Sequence, residues 1–246
     1  MPAYVVSKVA DALRHACDVV AVAGGDGTVA QVIRALPDRA VPLLVLPFGK
    51  ANNIARSFEI AWDEGRITRA LKNPKPKRLD VFLAQCGPCR ISLVEGAGLG
   101  CLRDAQNAKS GSGLGLAELR RELASLVHHA DPFPVTLTVD GTPHQLTCVG
   151  LEILNIRRAG PALPLLPEAN MGDGLLDIAI LEDAAALAAW IEAPDATPAP
   201  LRKLRAKSLR LESSARRLRL DDIFFDSKDR CTLSIEPDPP PVNILT

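Results

Sequence analysis

The chain has 246 residues, 47% hydrophobic and 24% charged, with 29 Lys+Arg balanced by 29 Asp+Glu. These values are ordinary for a soluble globular protein of one large or two small domains with a substantial core. A formal net charge of zero gives no argument for nucleic acid or an anionic membrane as partner, and no apolar run reaches the ~20 residues needed to span a bilayer. The N-terminus lacks the basic-then-apolar pattern of a signal peptide. The expectation is a cytoplasmic protein, able to touch a membrane peripherally but not to cross it.

In chain order, Val5–Ala16 reads as a helix and Val19–Ala23 as a buried strand. Gly24-Gly25-Asp26-Gly27-Thr28 follows, and Val29–Leu36 has helical periodicity. A strand, then glycines, then a helix start lets a backbone offer several N–H groups to a phosphate. The glycines permit positive φ and close approach, while Asp26 and Thr28 add a carboxylate and a hydroxyl. The loop is neither a Walker loop, lacking the Lys-Ser/Thr pair, nor the dinucleotide fingerprint. A second strand, Val41–Leu46, ends in Pro47-Phe48-Gly49-Lys50-Ala51-Asn52-Asn53, where Asn52 or Asn53 can cap the helix continuing through Phe58. Both loops follow strands in a β/α alternation. They belong on the carboxyl edge of a parallel sheet, where ligands bind in open α/β folds.

Trp62–Leu71 reads as one more helix, and Lys72–Arg78, with two prolines and four basic residues, reads as a linker. The sequence then becomes β-rich: Leu79–Ala84, Ile91–Val94, Val135–Val139, Thr147–Leu154, Leu176–Leu181, Lys207–Glu212, Arg217–Leu220 and Thr232–Glu236. Leu114–Val127 and Ala184–Ile191 are helices between them. Asp140-Gly141 is a two-residue hairpin signal. Cys86-Gly87-Pro88-Cys89 has the spacing of a redox pair, but it joins two strand-like runs and reads as a hairpin turn. The six cysteines and four histidines form no zinc constellation. Leu201–Arg219 concentrates basic residues, either a solvated strand face or a surface for anionic lipid headgroups, where each cation is worth about 1 kcal/mol.

The Gly24–Thr28 loop, followed by Pro47-x-Gly49-x-x-Asn52-Asn53, resembles the catalytic domain of bacterial diacylglycerol kinases, with sphingosine, ceramide and NAD kinases as more distant relatives. Val94-Glu95-Gly96-Ala97-Gly98-Leu99-Gly100 is similar to the glycine-rich opening of that family's second domain. Asn170-Met171-Gly172-Asp173-Gly174-Leu175-Leu176-Asp177 is similar to its Asp-Gly-x-Leu-Asp strand entry. The resemblance implies an α/β nucleotide-binding domain over 1–75, a β-sandwich lipid domain over 76–236, and a tail over 237–246 that returns to the first domain. It implies an ATP- and Mg2+-dependent lipid kinase acting at a membrane surface on diacylglycerol or a related lipid, with a homodimer left open. Gly24, Gly25, Asp26, Gly27, Thr28, Gly49, Asn52 and Asn53 would hold the nucleotide. Asp173 would hold magnesium by oxygen ligation, and Asp221, with Asp222 as alternative, would accept the hydroxyl proton.

Three departures from the family pattern stand out. The Asp-Gly-Glu segment expected near the C-terminus reads Asp221-Asp222-Ile223, so its glutamate position holds a side chain that does not titrate. Lys50 stands where the family has threonine or serine. Family members also carry a strand, a helix and another strand before the first glycine loop, including an Asn-Pro turn. Met1–Asp18 does not supply them, and the first domain is expected to lack its first strand and helix. The alternative functions are a degenerate nucleotide- or lipid-binding module and a kinase of a soluble acceptor.

Overall fold

The computed structural model describes residues 17–61, 63–103, 114–215, 217–226 and 230–246. The helix read over Val5–Ala16, the first residue of the helix read from Trp62, and Arg216 in the basic run lie outside them. The described residues form sixteen strands and five helices.

The N-terminal unit is α/β. Strand β1 (Val20–Gly24) runs parallel to β2 (Leu43–Pro47), with Gly24 opposite Pro47. Helix α1 (Asp26–Ala35) follows β1 and buries Val29, Ala30, Val32 and Ile33 against the sheet, as its apolar spacing dictates. Among the described residues β1 is the edge strand and buries only Val22, so it is less enclosed there than its apolar sequence suggests. Helix α2 (Asn53–Ser57) follows β2, and α3 (Glu64–Lys72) is capped by the Asp63 side chain.

Two segments remote in sequence complete this sheet in the order β1-β2-β16-β3. Strand β3 (Pro76–Leu79) takes up the second half of the stretch read as a linker. Strand β16 (Val242–Leu245) lies between β2, to which it is parallel, and β3, to which it is antiparallel.

The rest is a sandwich of two six-stranded sheets, so the fold is an α/β nucleotide-binding-type domain joined to a β-rich sandwich. One sheet contains β4 (Phe82–Cys86), β5 (Cys89–Leu93), β7 (Phe133–Val139), β8 (Thr142–Cys148), β12 (Leu209–Ser213) and β15 (Cys231–Pro237). The other contains β6 (Gly96–Gly100), β9 (Gly150–Leu154), β10 (Leu176–Leu181), β11 (Arg202–Ala206), β13 (Arg217–Leu220) and β14 (Ile223–Asp226). Their inner faces share one core, in which Phe82, Leu137, Leu211 and Leu233 meet Leu99, Ile153, Ile178 and Leu218. Helices α4 (Leu116–His128) and α5 (Ala184–Glu192) cover the other sheet's outer face through Leu123, Val127, Leu187 and Ile191.

Local turn chemistry fixes the hairpins. Asp140 and Gly141 both have positive φ, 47° and 86°, as the two-residue turn between β7 and β8 requires. Cys86 and Cys89 face each other across the β4–β5 turn, which settles that pair as a hairpin. The basic run divides among β11, β12 and β13, in both sheets. Acids from elsewhere meet it: Glu182 holds Arg202 at 3.3 Å, and Glu168 holds Lys203. No helix among the described residues is long and apolar enough to cross a membrane.

Candidate active site

The carboxyl ends of β1 and β2 bring the two glycine loops together. A Cβ added at Gly49 would lie 2.5 Å from Gly25 Cα, so the loops touch backbone to backbone, leaving no room for a side chain. Close approach is what these glycines supply: Gly25 itself is extended at φ −92°, and the left-handed residue in the second loop is Asn52 at φ 49°. The Asn52 side chain spans its own loop, accepting from Gly49 N at 2.8 Å and donating to Gly49 O at 2.7 Å.

Neither asparagine caps α2. Asp26 does so from the other loop, accepting from Asn53 N at 2.8 Å and Ile54 N at 2.9 Å. Burial raises its carboxyl pKa against the pull of those amides. Asn53 is buried and donates to Gly160 O at 3.1 Å, while its Oδ1 is buried without a partner among the described residues. Thr28 packs its side chain over Gly24.

The β13–β14 turn delivers Asp221 and Asp222. Asp221 has φ 50° and a fully buried side chain. Its carboxylate accepts from the amides of Val94, Glu95 and Gly96 at 3.0, 2.7 and 3.0 Å and is ion-paired with Arg34 of α1. That set commits essentially all the lone-pair sites of a carboxylate. Burial pushes the Asp221 carboxyl up while Arg34 and the amides pull it back. Asp221, expected as proton acceptor, thus has the geometry of an anchor joining α1 to the segment before β6. Asp222 is 39% exposed and lies against Gly27, where an added Cβ would come 2.6 Å from its Oδ2. Ile223, at the family's glutamate position, does not line the cleft, whereas Phe224 does.

Behind this turn lies a buried ion pair. Arg219 donates to Asp221 O at 2.9 Å and to Glu152, whose side chain is fully buried. Burial raises the Glu152 carboxyl pKa, opposed by Arg219.

These groups surround a cavity of about 320 Å³. Its polar wall contains Asp26, Gly27, Lys50, Asn53, Glu95, Arg219, Asp221 and Asp222. Its apolar wall contains Leu116, Leu119 and Leu123 of α4, with Pro161 and Phe224. The first turn of α1 is part of the lining, which places helix-terminal amides beside the cavity.

Asp173 is not in this lining. Its Oδ1 accepts from Leu175 N at 3.1 Å, and its Oδ2 is paired with Arg205, which also holds Asp177 at 3.0 Å. Gly174, at φ 77°, donates to Asp80 Oδ2 at 2.6 Å. Both oxygens of the Asp173 carboxylate are therefore already engaged, one by the Leu175 amide and the other by the Arg205 guanidinium. Among the described residues no group of three or more His, Cys, Asp or Glu comes together to hold a metal.

Glu95, Arg34, Arg219 and Glu152 were not marked as site residues by the sequence. Glu95 carried a usable signal, an acid between the apolar Ile91–Val94 run and a glycine-rich strand. Arg34 lies 187 residues from the aspartate it holds, with nothing local to mark it.

Comparison with known proteins finds matches for both parts of the fold. Residues 3–84 match the diacylglycerol kinase catalytic domain, and residues 115–198 match the YegS C-terminal NAD kinase beta sandwich-like domain. A Pseudomonas putida protein named probable lipid kinase YegS-like is 32% identical over 176 residues, covering 70% of this chain and 59% of that protein. A protein of the same name from Stenotrophomonas maltophilia is 29% identical over 197 residues, covering 71% and 60%. The Mycobacterium tuberculosis diacylglycerol kinase is 27% identical over 195 residues, covering 70% and 58%. The chain therefore spans about 60% of the length of the curated relatives it matches. A crystal structure of a diacylglycerol kinase from Bacillus anthracis has the same fold, with a TM-score of 0.72 at 19% identity, covering 98% of this chain and 81% of that one. The chain belongs to the YegS-like and diacylglycerol kinase family, with the catalytic-domain match over residues 3–84 and the sandwich match over residues 115–198.

Proposed function

We propose that this protein transfers the γ-phosphate of ATP to a hydroxyl of diacylglycerol or a related lipid. The observation that carries the reading is the two-faced cavity, with carboxylates and a helix N-terminus on one wall and leucines, Pro161 and Phe224 on the other. An amphiphile presenting a hydroxyl at the polar wall and its chains to the apolar wall suits that surface. A highly polar acceptor would leave the leucines unused.

In this reading the donor is the magnesium complex of ATP, with the metal arriving as part of the substrate. Phosphoryl transfer relies on positioning and charge stabilisation more than on covalent chemistry. Gly24, Gly25, Gly27, Thr28, Gly49 and Asn53 form the floor for the nucleotide. Asp26 and Asn52 hold the two loops in register, the first by capping α2 and the second by bridging Gly49. The lipid requirement places the working protein at a membrane surface from the cytoplasmic side.

A second reading, a nucleotide- and lipid-binding module without turnover, is favoured by the committed lone pairs of Asp221. Radiolabel from γ-labelled ATP decides between them. Label entering one class of a mixed-micelle lipid panel supports the kinase. ATP binding with no label in any lipid supports the module. Gly25→Val, whose side chain would meet Gly49, is expected to abolish nucleotide binding; retained affinity would remove the glycine loops from the nucleotide site.

A further inference from the structure

Glu95 has no structural duty that accounts for its carboxyl. Its backbone is fixed on both sides: its amide donates to Asp221 Oδ1 at 2.7 Å, and its carbonyl accepts from Asn155 N at 2.9 Å. Its side chain lines the cavity and the residue is 8% exposed, yet no described residue donates a hydrogen bond to the carboxyl. The neighbouring buried acids differ. Asp221 is saturated, Asp26 is used as a cap, and Glu152 is paired with Arg219. A buried polar group without a partner is costly, and an acid held that way over a cavity is suited to exchanging a proton with what enters it.

We infer that Glu95 is the proton acceptor for the lipid hydroxyl, and that Asp221 is the positioning residue that holds it over the cleft. The inference rests on the kinase reading. In the step, the hydroxyl O–H bond breaks and its proton passes to the Glu95 carboxylate. The oxygen forms a bond to the γ-phosphorus, and the bond from phosphorus to the β–γ bridging oxygen breaks, so that ADP leaves with the electron pair.

The surrounding charges suit the role. Burial pushes the Glu95 carboxyl well above the ordinary glutamate range, reinforced by Asp26, Asp221 and Asp222 and opposed by Arg219. Lys50 shares the lining, and Glu152 and Arg34 act one contact away, through Arg219 and Asp221. A carboxylate whose proton affinity is raised takes a proton more effectively than an ordinary one.

Glu95→Gln keeps the shape and removes the basic oxygen. It is expected to lower transfer to diacylglycerol micelles by at least roughly 100-fold, with ATP affinity within about threefold of wild type, and to erase the acid limb of the pH–rate profile. Asp221→Asn, which removes the anchor, is expected to lower the rate but retain that limb. An active wild type with an equally active Glu95→Gln overturns the proton-acceptor role and leaves the kinase reading standing. A wild type that labels no lipid overturns both. A third measurement is independent of turnover. In carboxyl-carbon-labelled glutamate NMR, assigned with Glu95→Gln, the Glu95 resonance is expected to titrate above the ordinary range and to shift when a non-hydrolysable ATP analogue binds. Ordinary titration that ignores the nucleotide would overturn the proposal.

Discussion

Two acidic turns of this molecule look alike in sequence and differ in the fold. Asp221-Asp222 and Asp173-Gly174 both stand at strand ends, and both aspartates are paired with an arginine. Arg34 reaches Asp221 from a helix of the other domain, the pair is nearly sealed from water, and three backbone amides share the carboxylate. Arg205 reaches Asp173 from the adjoining strand β11 of the same sheet, with 47% of the arginine side chain exposed. The first turn ties the two domains together at the cavity, and the second fastens a rim. Burial and the origin of the partner, more than the motif, separate the two.

The largest effect is expected from Arg34→Ala. It leaves a buried carboxylate without its counter-charge, a loss of roughly 3–5 kcal/mol, read as a lower midpoint in urea. A loss below about 1 kcal/mol would put Asp221 on the same footing as an exposed pair. Asp26→Ala comes next. Removing the cap on α2 is expected to cost about 0.5–2 kcal/mol and to weaken ATP binding, because the two glycine loops lose their cross-link. Unchanged ATP affinity would separate the cap from the nucleotide site.

Stability also depends on pH through Glu95. Glu95 has a folded pKa raised above its unfolded value, so the folded state holds its proton more firmly. Wild-type stability is therefore lost as pH rises from about the unfolded value of 4.5 through the raised one. Glu95→Gln lacks this loss. Its melting temperature relative to wild type is expected to be higher at pH 8 than at pH 5, and a constant difference would contradict the raised pKa. The smallest effect is expected at the rim, where Arg205→Ala should cost about 0–1 kcal/mol, as exposed pairs do. Wild-type melting without nucleotide should also be indifferent to added magnesium. A magnesium-dependent rise would show that the Asp173 turn takes the ion despite Arg205.

What could be read from the sequence was what short segments settle by themselves. The strand–glycine–helix pattern at Gly24–Thr28, the Pro47–Asn53 loop and the Asp140-Gly141 hairpin are local backbone chemistry, and their residues lie where that chemistry puts them. The order of glycine-rich and Asp-Gly motifs carried the family. Long-range partners stayed hidden: Arg34 for Asp221, Asp26 as the cap for α2, and β16 entering between β2 and β3. The basic run Leu201–Arg219 looked nearly free of acids in sequence, yet Glu168, Asp173, Asp177 and Glu182 meet its cations in space. For the same reason the saturation of Asp221 by three amides was not legible, since it depends on the fold of a segment more than a hundred residues away.

If the two-walled cavity is a phosphoryl-transfer site for a lipid hydroxyl, radiolabel moves from γ-labelled ATP to diacylglycerol in mixed micelles. Label is expected in the lipid with wild type and its near-complete loss in Glu95→Gln, with ATP binding intact in both. Folded wild type that binds ATP yet labels no lipid in the panel would contradict it.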